Sequence, residues 1–111
     1  MYIINVDKSY FIKVGFDGCN RIRVHILSVN GELKDFICQY ETLIDGIWLP
    51  IIRYDCAHGQ PFHRDVMLPN GEKEKQFVDI DSLKLSLDYA IQDLKTRWAW
   101  YKERFLSKRR K

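Results

Sequence analysis

The chain is short of the residues that break or staple a fold. Its 111 residues include three prolines, six glycines and three cysteines. That little proline and glycine excludes a low-complexity or collagen-like chain. Cys19, Cys38 and Cys56 are odd in number and widely spaced, and no CxxC unit is present. This excludes a zinc knuckle or dithiol redox motif and predicts three thiols in a reducing compartment. No apolar run approaches the roughly 20 residues that cross a bilayer as a helix. Met1 to Asp7 has no basic leader and is interrupted by Asn5 and Asp7, so it does not read as a signal peptide. A cytoplasmic protein with no membrane partner is expected. No HExxH or comparable metal spacing and no cofactor motif is present, so neither a metal nor a cofactor is expected.

A hydrophobic fraction of 46% and a charged fraction of 30% are those of an ordinary globular domain. The length suits one domain with one thin core. The net charge of +3 hides an asymmetry. From Lys95 to Lys111 eight basic residues face a single acid, Glu103, so this stretch carries +7 and residues 1–94 carry −4. A basic end of this kind fits an anionic partner, and it also fits a helix C-terminus opposing its own macrodipole.

The first half reads as an antiparallel meander. Tyr10 to Val14 has strand composition, and Asp17-Gly18 marks a turn. Arg21 to Ile26 alternates with period two, which places Ile22, Val24 and Ile26 inward and Arg21, Arg23 and His25 outward. Asn30-Gly31 is a strong hairpin signal. Leu33 to Ile44 is a long strand, Asp45-Gly46 a further turn, and Trp48 to Tyr54 a fourth strand. Pro50 removes one donor from that strand, which predicts an edge position or a bulge. Phe62 to Leu68 and the end of Glu72 to Val78 supply two further short strands. Leu83, Leu87, Ala90, Ile91, Leu94, Trp98, Tyr101 and Phe105 then recur at helical spacing. Asp81, or else Asp79, is the expected cap. The expectation is an α+β fold over residues 1–106: an antiparallel sheet of four to six strands packed on one long C-terminal helix, with 107–111 as a basic tail. The helix is longer than a small sheet needs, so its last turns are expected to project. That would offer Trp98, Tyr101 and Phe105 for a homodimer contact, with Trp100 off the inward stripe.

Chemistry concentrates between Trp48 and Met67, where Arg53, Asp55, His58, His63, Arg64 and Asp65 lie around a Gly59-containing loop. Metal-free RNA cleavage through the 2′-hydroxyl requires a base, an acid and a cation for the phosphate. Two histidines can divide the first two roles, because imidazole titrates near neutrality. Arginine grips phosphate bidentately. His58 and His63 as acid and base, with Arg53 and Arg64 on the phosphate, supply those parts, and Asp55 completes the candidate set. The same residues admit weaker alternatives. One is a metal site of His58, His63 and Asp55 or Asp65. Another is a Cys56–His58 nucleophile pair. A third is a plain structural role, with Arg53 and Asp55 as a surface ion pair.

The run Ile51-Ile52-Arg53-Tyr54-Asp55, followed by Gly59 and His63, resembles the central motif of the TumE family, small toxins of prokaryotic toxin–antitoxin systems. Cys56 stands where that family's pattern has asparagine, and Asp65 stands where a second histidine would follow His63. The resemblance implies a sheet-and-helix protein directed at RNA and partnered by an antitoxin protein. Arg53, Asp55 and His63 are the residues it carries over. The alternative is a non-enzymatic binding protein that docks a protein or nucleic acid through its basic, aromatic C-terminal helix.

Overall fold

A computed structural model describes residues 3–56 and 61–110. Six strands form one antiparallel sheet in sequence order: β1 (Asn5–Lys13), β2 (Asn20–Val29), β3 (Glu32–Ile44), β4 (Ile47–Asp55), β5 (His63–Met67) and β6 (Lys73–Phe77). One helix, α1 (Leu83–Arg109), covers one face. The α+β meander expected from the sequence is the observed fold. Asn30-Gly31 and Asp45-Gly46 both have positive φ, 52° and 79° in the first pair and 52° and 78° in the second. That is the geometry of two-residue hairpin turns matching the sheet's twist. Asp17 instead accepts the Cys19 N–H at 2.9 Å, so the loop from Gly15 to Cys19 is wider and built on an Asx turn.

The core lies between sheet and helix. Ile22, Val24, Phe36, Cys38, Tyr40, Ile52 and Tyr54 point from the sheet toward Ala90, Leu94, Tyr101 and Phe105, and all are buried. β4 lies between β3 and β5, so it is an interior strand and not an edge. Pro50 is accommodated by the expected bulge. Tyr40 pairs with Ile52 and Glu41 with Pro50, which leaves Ile51 as the extra residue. The bulge buries Ile51 and Ile52 together, whereas strict alternation would expose one of them.

The helix does not project. Its 27 residues span about 40 Å at 1.5 Å each. The 13-residue β3 beneath it spans about 43 Å. The two run side by side. Leu83 lies by Leu33, and Arg109 meets Asp45 at 3.9 Å. Tyr101 and Phe105 are therefore buried in the chain's own core, and Trp98 packs edge-on against Tyr40 at 6.1 Å. The two-fold contact expected of these three side chains is corrected accordingly, because they are occupied within the chain. The last turn also takes in Ser107 to Arg109, which the sequence reading assigned to a tail. Ser82 is the cap, where Asp81 was expected. Its hydroxyl accepts the Leu85 N–H at 3.2 Å, and Ile80 and Leu83, before and after it in sequence, pack against the core. Among the described residues no helix is long and apolar enough to cross a membrane.

Candidate functional site

Successive residues of a strand point to opposite faces, and this divides the candidate residues. On the face without the helix, strand register aligns two rows across all six strands. One row is Phe11, Arg23, Gln39, Arg53, Asp65 and Lys75. The other is Ser9, His25, Ile37, Asp55, His63 and Phe77. Each row extends about 24 Å at 4.8 Å per strand. Arg53, Asp55 and His63 are thus neighbours on β4 and β5, and Asp65 joins them.

Arg53 Nε lies 3.3 Å from Asp55 Oδ2. His63 Nδ1 lies 2.9 Å from the Pro61 carbonyl oxygen. A carbonyl only accepts, so Nδ1 carries the hydrogen. Nε2 is then the atom that can give or take a proton, and it sits 3.8 Å from Asp65 Oδ2. Lys73 Nζ is 3.6 Å from the same oxygen. His63 and Asp65 are only 5% and 3% exposed. Asp65 Oδ1 is buried without a hydrogen-bond partner among the described residues. A buried carboxylate oxygen in that state can still accept a hydrogen bond. Further along the face, Glu41 gathers Arg21 at 2.9 Å, Arg23 at 3.4 Å and the Gln39 amide at 2.6 Å. The Arg21 guanidinium lies between the Phe11 ring, at 4.3 Å, and the Trp48 ring, at 3.8 Å.

Arg64 is not part of this group. It points to the helix face and is corrected from phosphate ligand to structural clasp. Its Nε donates to Gln76 at 2.6 Å and its Nη1 to the Tyr101 hydroxyl at 2.8 Å. Tyr54 and Tyr101 in turn donate to Asp93 Oδ2 at 2.6 and 2.5 Å, and Arg64 Nη1 is 3.8 Å from that oxygen. Burial, followed by the adjoining Asp93 carboxylate, raises both phenols above their usual value, Tyr54 the more strongly. Asp93 is not among the residues that the sequence singles out. Its signal was an acid beside the apolar stripe, one residue before Leu94 and three after Ala90.

His58 lies outside the described residues, so its distance from His63 is not part of this geometry. Among the described residues no group of three metal-ligating side chains converges. Cys56 is buried with its thiol toward the Phe36 carbonyl. Burial pushes that thiol up to about 11, which leaves it protonated and a poor nucleophile near neutrality. At the helix end Trp100 is exposed, with Arg104 5.7 Å over its ring, and Arg109 and Arg110 are exposed as well.

The class defined by these observations is a six-stranded meander with one helix-covered face and one polar, arginine-bearing face. Residues 5–111 match the model of a family described as a domain of unknown function, DUF7718. The chain belongs to that family. No curated protein and no solved structure matches it.

Proposed function

We propose that the chain is an RNA-directed protein of the toxin–antitoxin type, which holds RNA on the uncovered sheet face and cleaves it without metal at the β4–β5 end. The observation that carries this reading is the grouping of Arg53, Asp55, His63 and Asp65 on one face, in line with Arg23 and Lys75. In this reading Arg53 exchanges Asp55 for a phosphate. His63 Nε2, backed by Asp65, takes the 2′-hydroxyl proton. His58 supplies the proton for the leaving oxygen. Exposed Phe11 and Phe77 at the two ends of the rows offer rings on which unpaired bases stack. An antitoxin protein would mask the same face.

The near-complete burial of His63 favours a second reading, in which the face binds RNA and performs no chemistry. The basic helix end, with exposed Trp100, is its other candidate contact. One experiment separates these readings. Single-stranded RNA is incubated with the purified chain in the presence of a chelator, and binding and cleavage are measured in parallel. Arg53→Ala is expected to weaken binding about 10-fold, the value of one charge-assisted contact. His63→Ala is expected to retain binding and to lose cleavage by about 100-fold or more. Binding should fall steeply with salt. Cleavage unchanged in His63→Ala overturns the catalytic assignment. Absence of RNA binding at low salt overturns both readings.

A further inference from the structure

The two edges of the sheet are built differently. β6 is five residues long and carries Lys73, Glu74 and Lys75 in succession, which protects an edge by charge. β1 is nine residues long, contains no proline and pairs with β2 without a register shift. Val6 and Phe11 along it are exposed, as is Ile4 just before it. Its peptide groups are only half used. Asn30 N–H donates to the Ile4 carbonyl at 2.8 Å, and Val14 N–H donates to the Asn20 carbonyl at 3.3 Å. Even-numbered residues therefore turn their peptide groups toward β2. By the alternation of an antiparallel ladder, Asn5, Asp7, Ser9, Phe11 and Lys13 present theirs to the outside. An edge of this length, with its three charges dispersed and with neither proline nor bulge, is a template for another strand.

We propose that this strand is a second copy of β1, paired antiparallel about a two-fold axis at Tyr10, so that two six-stranded sheets become one. The charges of β1 select the partner and the register. With Tyr10 opposite Tyr10, Asp7 of each copy lies opposite Lys13 of the other, Lys8 opposite Ile12 and Ser9 opposite Phe11. No like charges are opposed, and opposite charges directly across a pair are stabilising. Lys8, already 5.5 Å from the Tyr10 ring of its own strand, lies diagonal to the second Tyr10 ring. The outward residues all have odd numbers, so the register forms about eight main-chain hydrogen bonds. Residues of the same parity meet, so the two helices lie on one side and the two uncovered faces join on the other. The contact is of the small class, which places its dissociation constant in the micromolar range. It is independent of the RNA reading.

Sedimentation of the full chain over about 1 to 100 µM, the range a small interface demands, should show a monomer–dimer equilibrium. Ser9→Pro removes an outward donor that β2 does not use, a position where an edge strand tolerates proline. Because proline also loses the 2.7 Å contact of the Ser9 hydroxyl with His25 Nδ1, Ser9→Ala is the reference: Ser9→Pro should weaken the dimer at least 10-fold more than Ser9→Ala does, at the same thermal unfolding. Asp7→Lys should weaken it as well, and adding Lys13→Asp should restore it. Asp7 also lies 3.0 Å from His25 Nε2 of its own chain; the single and the double variant lose that contact alike, so restoration by the second change reads the contact between copies. A chain monomeric throughout overturns the proposal and leaves the edge to a strand of another protein. A dimer indifferent to Ser9→Pro, or a charge swap that fails to restore association, also overturns it.

Discussion

Replacing Asp93 with alanine removes the acceptor on which the helix–sheet interface converges. Its side chain is 7% exposed, accepts from Tyr54 and Tyr101, and stands 3.8 Å from Arg64 and 3.9 Å from Arg97. Without it, two phenol hydroxyls and a guanidinium lose their shared partner. Hydrogen bonds to a charged group contribute about 1.5–3 kcal/mol each, so the two phenols alone give about 3–6 kcal/mol. Breaking a buried charge pair on one side costs about 3–5 kcal/mol, which agrees. At about 4 °C per kcal/mol for a chain of this size, Asp93→Ala should lower Tm by about 12–20 °C. Asp93→Asn keeps an acceptor and should cost about half as much. Arg97 is 62% exposed, and Arg97→Ala should stay within about 0.5 kcal/mol. Arg64→Ala combined with Asp93→Ala should fall short of additivity by about 1–3 kcal/mol, because the residues act as one unit. Reversible denaturant unfolding of the set measures all four. An Asp93→Ala chain within about 1 kcal/mol of the parent refutes the clasp, and with it the reassignment of Arg64.

The clasp also sets a pH limit. Tyr54 and Tyr101 keep their protons above the value of 10.0 at which free tyrosine releases them. The unfolded chain therefore binds fewer protons once pH passes that value, and stability falls as pH rises further. The buried Cys38 and Cys56 thiols, raised from 9.0 to about 12 and about 11, begin the same loss earlier, so chemical denaturation from pH 8 to 11 should show a decline that starts near pH 9 and steepens above 10, with the tyrosinate absorbance of Tyr54 and Tyr101 lagging until unfolding; a decline centred near neutrality contradicts this. Gly15 has φ 74°, and a Cβ there would lie 3.0 Å from Trp98 Cη2, whereas Gly31 at φ 79° has open space. Gly31→Ala should cost about 1–2 kcal/mol for the backbone alone. Gly15→Ala adds a steric term and should cost about 1–3 kcal/mol more; equal Tm values for the two variants would refute the Trp98 contact. Ser82→Ala should cost about 1 kcal/mol, read by thermal unfolding, and Asp81→Ala close to nothing; the reverse order would return the cap to Asp81.

Much of the fold was legible because its causes are local. Asn30-Gly31 and Asp45-Gly46 adopt positive φ on their own account, and Arg21 to Ile26 alternates whether or not its neighbours are known. The division of the candidate site was legible too, though it was overlooked. His63 and Arg64 are adjacent in a strand, so they face opposite sides whatever that strand pairs with. The first half of β1 was missed because Asn5 to Ser9 is largely polar. An edge strand that the helix does not reach has no apolar pattern to display.

Local pattern decided which segments are strands, where they turn and which face of the helix is apolar, since each depends on residues within a few positions of one another. Tertiary structure alone decided that β4 is interior, that the helix ends over the sheet and that Asp65 stands between His63 and Lys73. Those outcomes depend on strand register and on the length of β3 against that of the helix. Both quantities join residues far apart in the chain, and no local preference encodes them.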